Sequence, residues 1–140
     1  MSNTLSDLST AMADVVVTAG PSIVRVEARR RLPATGIVWS NDGLIITAHH
    51  VVHQDENIKI GLADGSVVPA VLVGRDLTTD IAILRAEASG LAPLTESTKE
   101  DRATGHFVLA LGRPGLTVQA TLGILSAVGG SWRTHHGGLI

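Results

Sequence analysis

Apolar positions in the first twenty residues recur with helical spacing. Leu5, Leu8, Met12, Val15, Val16 and Ala19 fall three or four residues apart along most of this stretch, which predicts a short amphipathic helix capped at Asn3 or Thr4. Gly20-Pro21 ends it, because glycine tolerates a left-handed terminus and proline cannot continue the hydrogen-bond ladder. Beyond this point the period becomes two, or short apolar runs appear, and turn residues recur at intervals suited to a β-barrel or sandwich. Strands are predicted at 23–28, 36–40, 44–47, 57–62, 66–74 and 81–85. Asn41-Asp42-Gly43 and Asp64-Gly65 read as hairpin turns, since Asn, Asp and Gly accept the positive φ that such turns require. Pro69 has no N–H to donate and predicts an edge or a bulge in the fifth strand.

From Ala86 to Gly105 the chain turns polar and loses its period, and apolar strands resume at 106–111 and 118–128. The division this predicts is an N-terminal helix over 1–20, a β-barrel over 21–88, a linker over 89–104 and the opening of a second β unit over 105–140. The last stretch holds too few strands to close a barrel of its own. Either its strands pack back on the first barrel or the 140 residues are the front portion of a longer protein. The fold class is all-β: one six-stranded barrel, a short helix before it, and the first strands of an incomplete second barrel.

Composition sharpens this picture. Hydrophobic residues make up 44% of the 140 positions and charged residues 17%, with a formal net charge of −2. A chain this apolar buries enough surface to offset its ordering entropy, and a near-neutral charge argues against a nucleic-acid partner. Arg29-Arg30-Arg31 is accordingly read as a solvated loop. Phe107, Trp39 and Trp132 are the only aromatic residues, so the core must be built from Val, Ile, Leu and Ala. The apolar runs fall far short of the roughly 20 residues that span a bilayer, and no basic leader precedes an apolar stretch at the N-terminus. The expectation is a cytoplasmic chain with no membrane partner and an open oligomeric state. No cysteine is present, so disulfides and thiolate chemistry are excluded.

Candidate chemistry gathers at two places. Thr47-Ala48-His49-His50-Val51-Val52-His53 stands where the third strand ends, and Thr78-Thr79-Asp80 stands directly before the sixth. A histidine whose tautomer and orientation are fixed by a carboxylate is what a general base needs to take a proton from a hydroxyl nucleophile.

A co-linear series of segments resembles the Deg/HtrA-type, trypsin-like serine proteases. The segments are Gly36-Ile37-Val38 through Thr47, His50-Val51-Val52, Leu62-Ala63-Asp64-Gly65, Val73-Gly74-Arg75-Asp76 and Thr79-Asp80-Ile81-Ala82-Ile83-Leu84. Ala110-Leu111-Gly112-Arg113-Pro114-Gly115 and Thr121-Leu122-Gly123-Ile124-Leu125-Ser126 continue it, and the likeness covers about Leu5 to Val128. Single motifs of this kind arise by chance; their order and spacing together do not. The resemblance implies a trypsin-like barrel that hydrolyses peptide bonds in protein or peptide substrates. It makes His50 the catalytic base and Asp80 the acid that orients it, with no cofactor and no metal.

The same resemblance implies a nucleophilic serine in a Gly-x-Ser-Gly-Gly segment, which the 140 residues do not contain. Ser131, in Gly129-Gly130-Ser131-Trp132-Arg133, has its glycines on the wrong side and is not assigned. The expectation is therefore that this polypeptide alone is inactive. Two other readings stand beside the protease. One is a binding or scaffold module on a degenerate protease fold. The other is a metal site, because His49 and His53 would share one face if the turn ran into a helix, with His135 and His136 as further donors. No cysteine and no suitably spaced acid completes such a site.

Overall fold

The computed structural model describes residues 3–97, 99–131, 133, 137 and 139. His135, His136 and Trp132 lie outside the described residues.

The helix α1 spans Thr4–Ala19. Asn3 caps it, its side chain accepting the Leu5 N–H at 2.9 Å, which satisfies one of the donors a helix start leaves open. The helix does not end in a left-handed glycine as expected. Gly20 has φ −49°, and the chain tightens into a 3-10 turn, Gly20–Ser22, with Pro21 at a position where a missing N–H costs nothing. Met12, Val16 and Ala19 are half-buried, whereas Leu5, Val15 and Val17 are exposed.

Six strands follow: β1 Ile23–Glu27, β2 Ala34–Val38, β3 Leu44–Ala48, β4 Ile58–Gly61, β5 Val67–Asp76 and β6 Ile81–Ala86. They close into an antiparallel barrel in the order β1-β2-β3-β6-β5-β4, with β4 returning to β1. Closure leaves no edge to pair with another chain. Alternation along the strands selects the interior. Val24 and Val26 of β1, Val38 of β2, Ile45 of β3, Ile60 of β4 and Leu84 of β6 are all fully buried. Each contributes about 1.5–3 kcal/mol by leaving water. Gly36 is the gap that lets them meet: a Cβ there would lie 2.6 Å from Ile45 Cγ2 and 2.8 Å from Val26 Cγ2.

Both predicted hairpin turns form around a positive-φ glycine, Gly43 at 109° and Gly65 at 89°. Pro69 is neither at an edge nor at a bulge. It pairs with Lys59 of β4, and its carbonyl accepts from Glu87 N–H at 2.9 Å, just past the end of β6. The missing N–H lies on the same side of the strand as that carbonyl, so the bond that proline cannot make falls at the last rung, just past the end of β6. The bulge in β5 lies four residues further on, at Val73.

Two more strands, β7 Phe107–Gly112 and β8 Gln119–Ile124, form a separate antiparallel pair. β8 stops four residues short of the expected 128 and is exposed throughout, while β7 lies against β1 and β2. Arg113 fastens the joint. Its side chain is buried, and its guanidinium donates to the carbonyls of Ile23 at 2.6 Å, Gly20 at 3.0 Å and Leu116. Its backbone N–H donates to Thr35 Oγ1 at 3.1 Å. One cation thus ties the helix end, β1, β2 and the β7–β8 connection together.

Candidate active site

Thirty residues separate His50 from Asp80 in sequence, and strand register removes that separation. β3 and β6 pair so that Ala48 stands opposite Ile81. The next rung is made by His49 N–H donating to Asp80 O at 3.0 Å. The chain then leaves β3 in a 3-10 turn, His49–Val51, which carries the His50 ring over the Asp80 carboxylate.

His50 Nδ1 lies 2.6 Å from Asp80 Oδ2, and His50 N–H donates to Asp80 Oδ1 at 2.9 Å. Both carboxylate oxygens are therefore engaged by one residue. The ring hydrogen bond from His50, followed by its backbone N–H, holds the Asp80 carboxyl below the usual carboxylate range. An ionised carboxylate only accepts, so Nδ1 carries the proton in the neutral ring and the lone pair is left on Nε2. Asp80 adopts φ 58°, a left-handed conformation for a residue with a side chain. Such a conformation costs on the order of 1–3 kcal/mol and persists only where its surroundings over-determine it.

The pair is open to water, with the His50 and Asp80 side chains 67% and 48% exposed. Asp80 also lines a groove of about 470 Å3 between the barrel and the β7–β8 pair, together with Ile37, Ile46, Ala48, Leu94, Leu109 and Leu111. The arrangement offers an oriented imidazole with a free basic nitrogen at the rim of an apolar groove.

The other histidines stand differently. The turn at 49–51 is a single 3-10 turn, so the helical face that would align His49 with His53 does not form. His49 Nδ1 is buried without a hydrogen-bond partner, and His53 Nε2 lies 3.0 Å from His50 O. Among the described residues no group of three or more His, Cys, Asp or Glu is placed to hold a metal ion. Ser131 is exposed on the segment after β8. Sequence reading assigned no role to Arg75, Asp76 or Arg113, although all three lie within the segments that carried the resemblance. Their signal was only that a charged residue stands beside a strand end.

A trypsin-like peptidase domain matches residues 34–139, which agrees with the closed barrel and its rim pair and defines the class. A probable periplasmic serine endoprotease DegP-like of Halomonas elongata is 43% identical over 103 residues, covering 73% of this chain and 22% of that protein. The serine protease HTRA1 of Xenopus tropicalis is 36% identical over 127 residues, covering 82% of this chain and 28% of its own length. The serine endoprotease DegS of Haemophilus influenzae is 34% identical over 96 residues, covering 68% and 28%. The chain belongs to the trypsin-like serine proteases of the Deg/HtrA type. It spans less than a third of the length of these relatives. The cytoplasmic expectation is overturned here, because the Halomonas elongata and Chlamydia trachomatis relatives are named as periplasmic proteins. That expectation rested on a leader not being readable at the N-terminus, which is a weaker ground than kinship.

Proposed function

We propose that this barrel supplies the general base and its orienting acid to a serine endopeptidase that hydrolyses peptide bonds of protein substrates in the periplasm. His50 Nε2 takes the proton of a serine hydroxyl as it attacks the scissile carbonyl, then returns it to the leaving amine. Asp80 holds the ring in the Nδ1–H tautomer and stabilises the imidazolium that forms. The observation that carries this reading is the 2.6 Å contact between His50 Nδ1 and Asp80 Oδ2.

The nucleophile is assigned to a Gly-x-Ser-Gly-Gly segment outside the 140 residues, consistent with relatives several times longer. The exposure of the pair supports the same assignment, since the electrostatic gain of such a site depends on excluding water. In domain terms, 21–88 is the base-bearing barrel, 89–104 a connection and 105–140 the start of the second barrel.

Casein or fluorogenic-peptide hydrolysis tests the reading. The 140-residue chain is expected to show no turnover. The chain continued to the length of its relatives is expected to be active and to lose about four to six orders of magnitude on His50→Ala. Turnover by the long form that is indifferent to His50→Ala would refute the role of His50. Turnover by the 140-residue chain that His50→Ala abolishes would refute the assignment of the serine.

A further inference from the structure

We propose that Arg75 and Asp76, adjacent at the end of β5, are positioning residues that hold His50 against Asp80, and that the β5 bulge at Val73 aims them. The inference rests on the proposed roles of His50 and Asp80 and concerns how their geometry is set.

The bulge decides which way the two residues face. Leu72 opposes Leu84 and Gly74 opposes Ile83, so β5 has one residue more than β6 between these rungs. Had the count been equal, Arg75 would oppose Ile81, which faces outward. With Val73 inserted, Arg75 opposes the fully buried Ala82 and Asp76 opposes Ile81. A one-residue slip exchanges the faces of a strand, and a bulge applies that exchange locally. Arg75 is thereby placed on the face of Ala82 at the barrel end, where it remains exposed, and Asp76 is set toward the turn that leads to Asp80.

Each then grips one half of the pair. Arg75 Nη1 donates to Val52 O at 2.8 Å, and Nη2 lies 3.2 Å from Asp55 Oδ1. Val52 N–H in turn donates to His49 O at 3.1 Å, so the guanidinium braces the 3-10 turn that carries His50. Asp76 Oδ1 accepts Thr78 N–H at 2.9 Å and Thr78 Oγ1 at 2.7 Å, and Oδ2 accepts Thr79 Oγ1 at 3.0 Å. These bonds shape the turn from which Asp80 emerges at φ 58°.

The turn after β5 has no apolar anchor at its tip, since Leu77 is exposed, which leaves polar contacts to order it. The His50 turn is held on its inner side by the buried Val51 and Val52, and Arg75 adds a polar contact from the far side of Val52. The Arg75–Asp55 leg is an exposed ion pair and contributes little. The bond to the carbonyl of buried Val52 is the one that matters. A misplacement on the order of 1 Å at such a site costs about a hundredfold in rate, so residues that touch neither substrate nor reacting atoms acquire a functional role.

The test reads the His50 tautomer in the 15N-labelled 140-residue chain by long-range 1H–15N correlation, above the titration of the ring. The signal is assigned by its loss in His50→Gln. The wild type is expected to show the Nδ1–H form, because Asp80 accepts from that nitrogen. Arg75→Met and Asp76→Ala are each expected to shift His50 to the Nε2–H form that free imidazole prefers, while the amide fingerprint of the barrel strands is unchanged. Arg75→Lys, which keeps one donor for Val52 O, is expected to retain the Nδ1–H form. Should Arg75→Met disturb the whole fingerprint, Asp76→Ala, on an exposed turn, decides alone. Variants with an intact fingerprint that keep the wild-type signature overturn the positioning inference. A wild type in the Nε2–H form overturns the His50–Asp80 reading itself.

Discussion

Replacing Arg113 by methionine removes the cation that joins the helix end, β1 and the β7–β8 pair while keeping most of the aliphatic volume. The guanidinium makes three hydrogen bonds, to Ile23 O, Gly20 O and Leu116 O, and the residue is only 5% exposed. No carboxylate partners it in these contacts. Hydrogen bonds from a charged donor are each worth about 1.5–3 kcal/mol net, and a buried carbonyl left without a donor costs about 1–3 kcal/mol. The three acceptors fare differently on substitution: Gly20 O keeps the Ile23 N–H as a donor, Ile23 O lies at a buried residue where water does not replace the guanidinium, and Leu116 is 69% exposed so that its carbonyl regains water. Relief of the guanidinium's own desolvation offsets part of the loss. The expected net destabilisation is about 3 kcal/mol, which lowers Tm by about 10 °C for a domain of this size. Thermal and urea denaturation followed by circular dichroism measure it. Arg113→Lys is expected to lose most of the same amount, since one ammonium cannot span three carbonyls arranged around a planar fork. A loss below about 0.5 kcal/mol for Arg113→Met, the range of an ordinary surface change, would refute the view that this cation carries the joint.

The pH dependence of stability has a defined sign. Asp42, Asp64, Asp76 and Asp80 are all held below the usual carboxylate range, first by hydrogen bonds from Ser40, Ser66, Thr78 and His50 respectively. A depressed folded-state pKa adds stability that is full above the unfolded value near 4 and is lost as pH falls through the folded values. The urea midpoint is therefore expected to hold between pH 6 and 5 and to fall below about pH 4, with a shallower fall in Asp76→Ala; an unchanged midpoint down to about pH 2 would contradict this. Gly36→Ala places a methyl within 3 Å of Ile45 and Val26 side-chain carbons and is expected to cost about 1–3 kcal/mol by overpacking. Equilibrium denaturation checks it, and a neutral result would mean that the barrel wall gives way without strain.

The barrel was legible in the chain because its determinants are local. Alternation such as Ala82, Leu84 and Ala86 inward against Ile81 and Arg85 outward is written in consecutive letters, and the turns at Gly43 and Gly65 depend on two or three residues. The histidine and aspartate were legible as types at strand ends, through a family resemblance spread over many short segments. Element ends were less so: β8 stops at Ile124 while apolar letters continue, and Pro69 sits inside a closed sheet with its missing donor at the last rung beside β6.

Three features were decided only in three dimensions. Register between β3 and β6 put the His50 ring 2.6 Å from Asp80. One extra residue in β5 set Arg75 against Val52 O. Arg113 found three carbonyls, two of them about ninety positions away. Periodicity and turn chemistry act between neighbours and can be read in order along the chain. A hydrogen bond between distant segments depends on which strands pair and in what register, and that is set by the whole barrel closing at once.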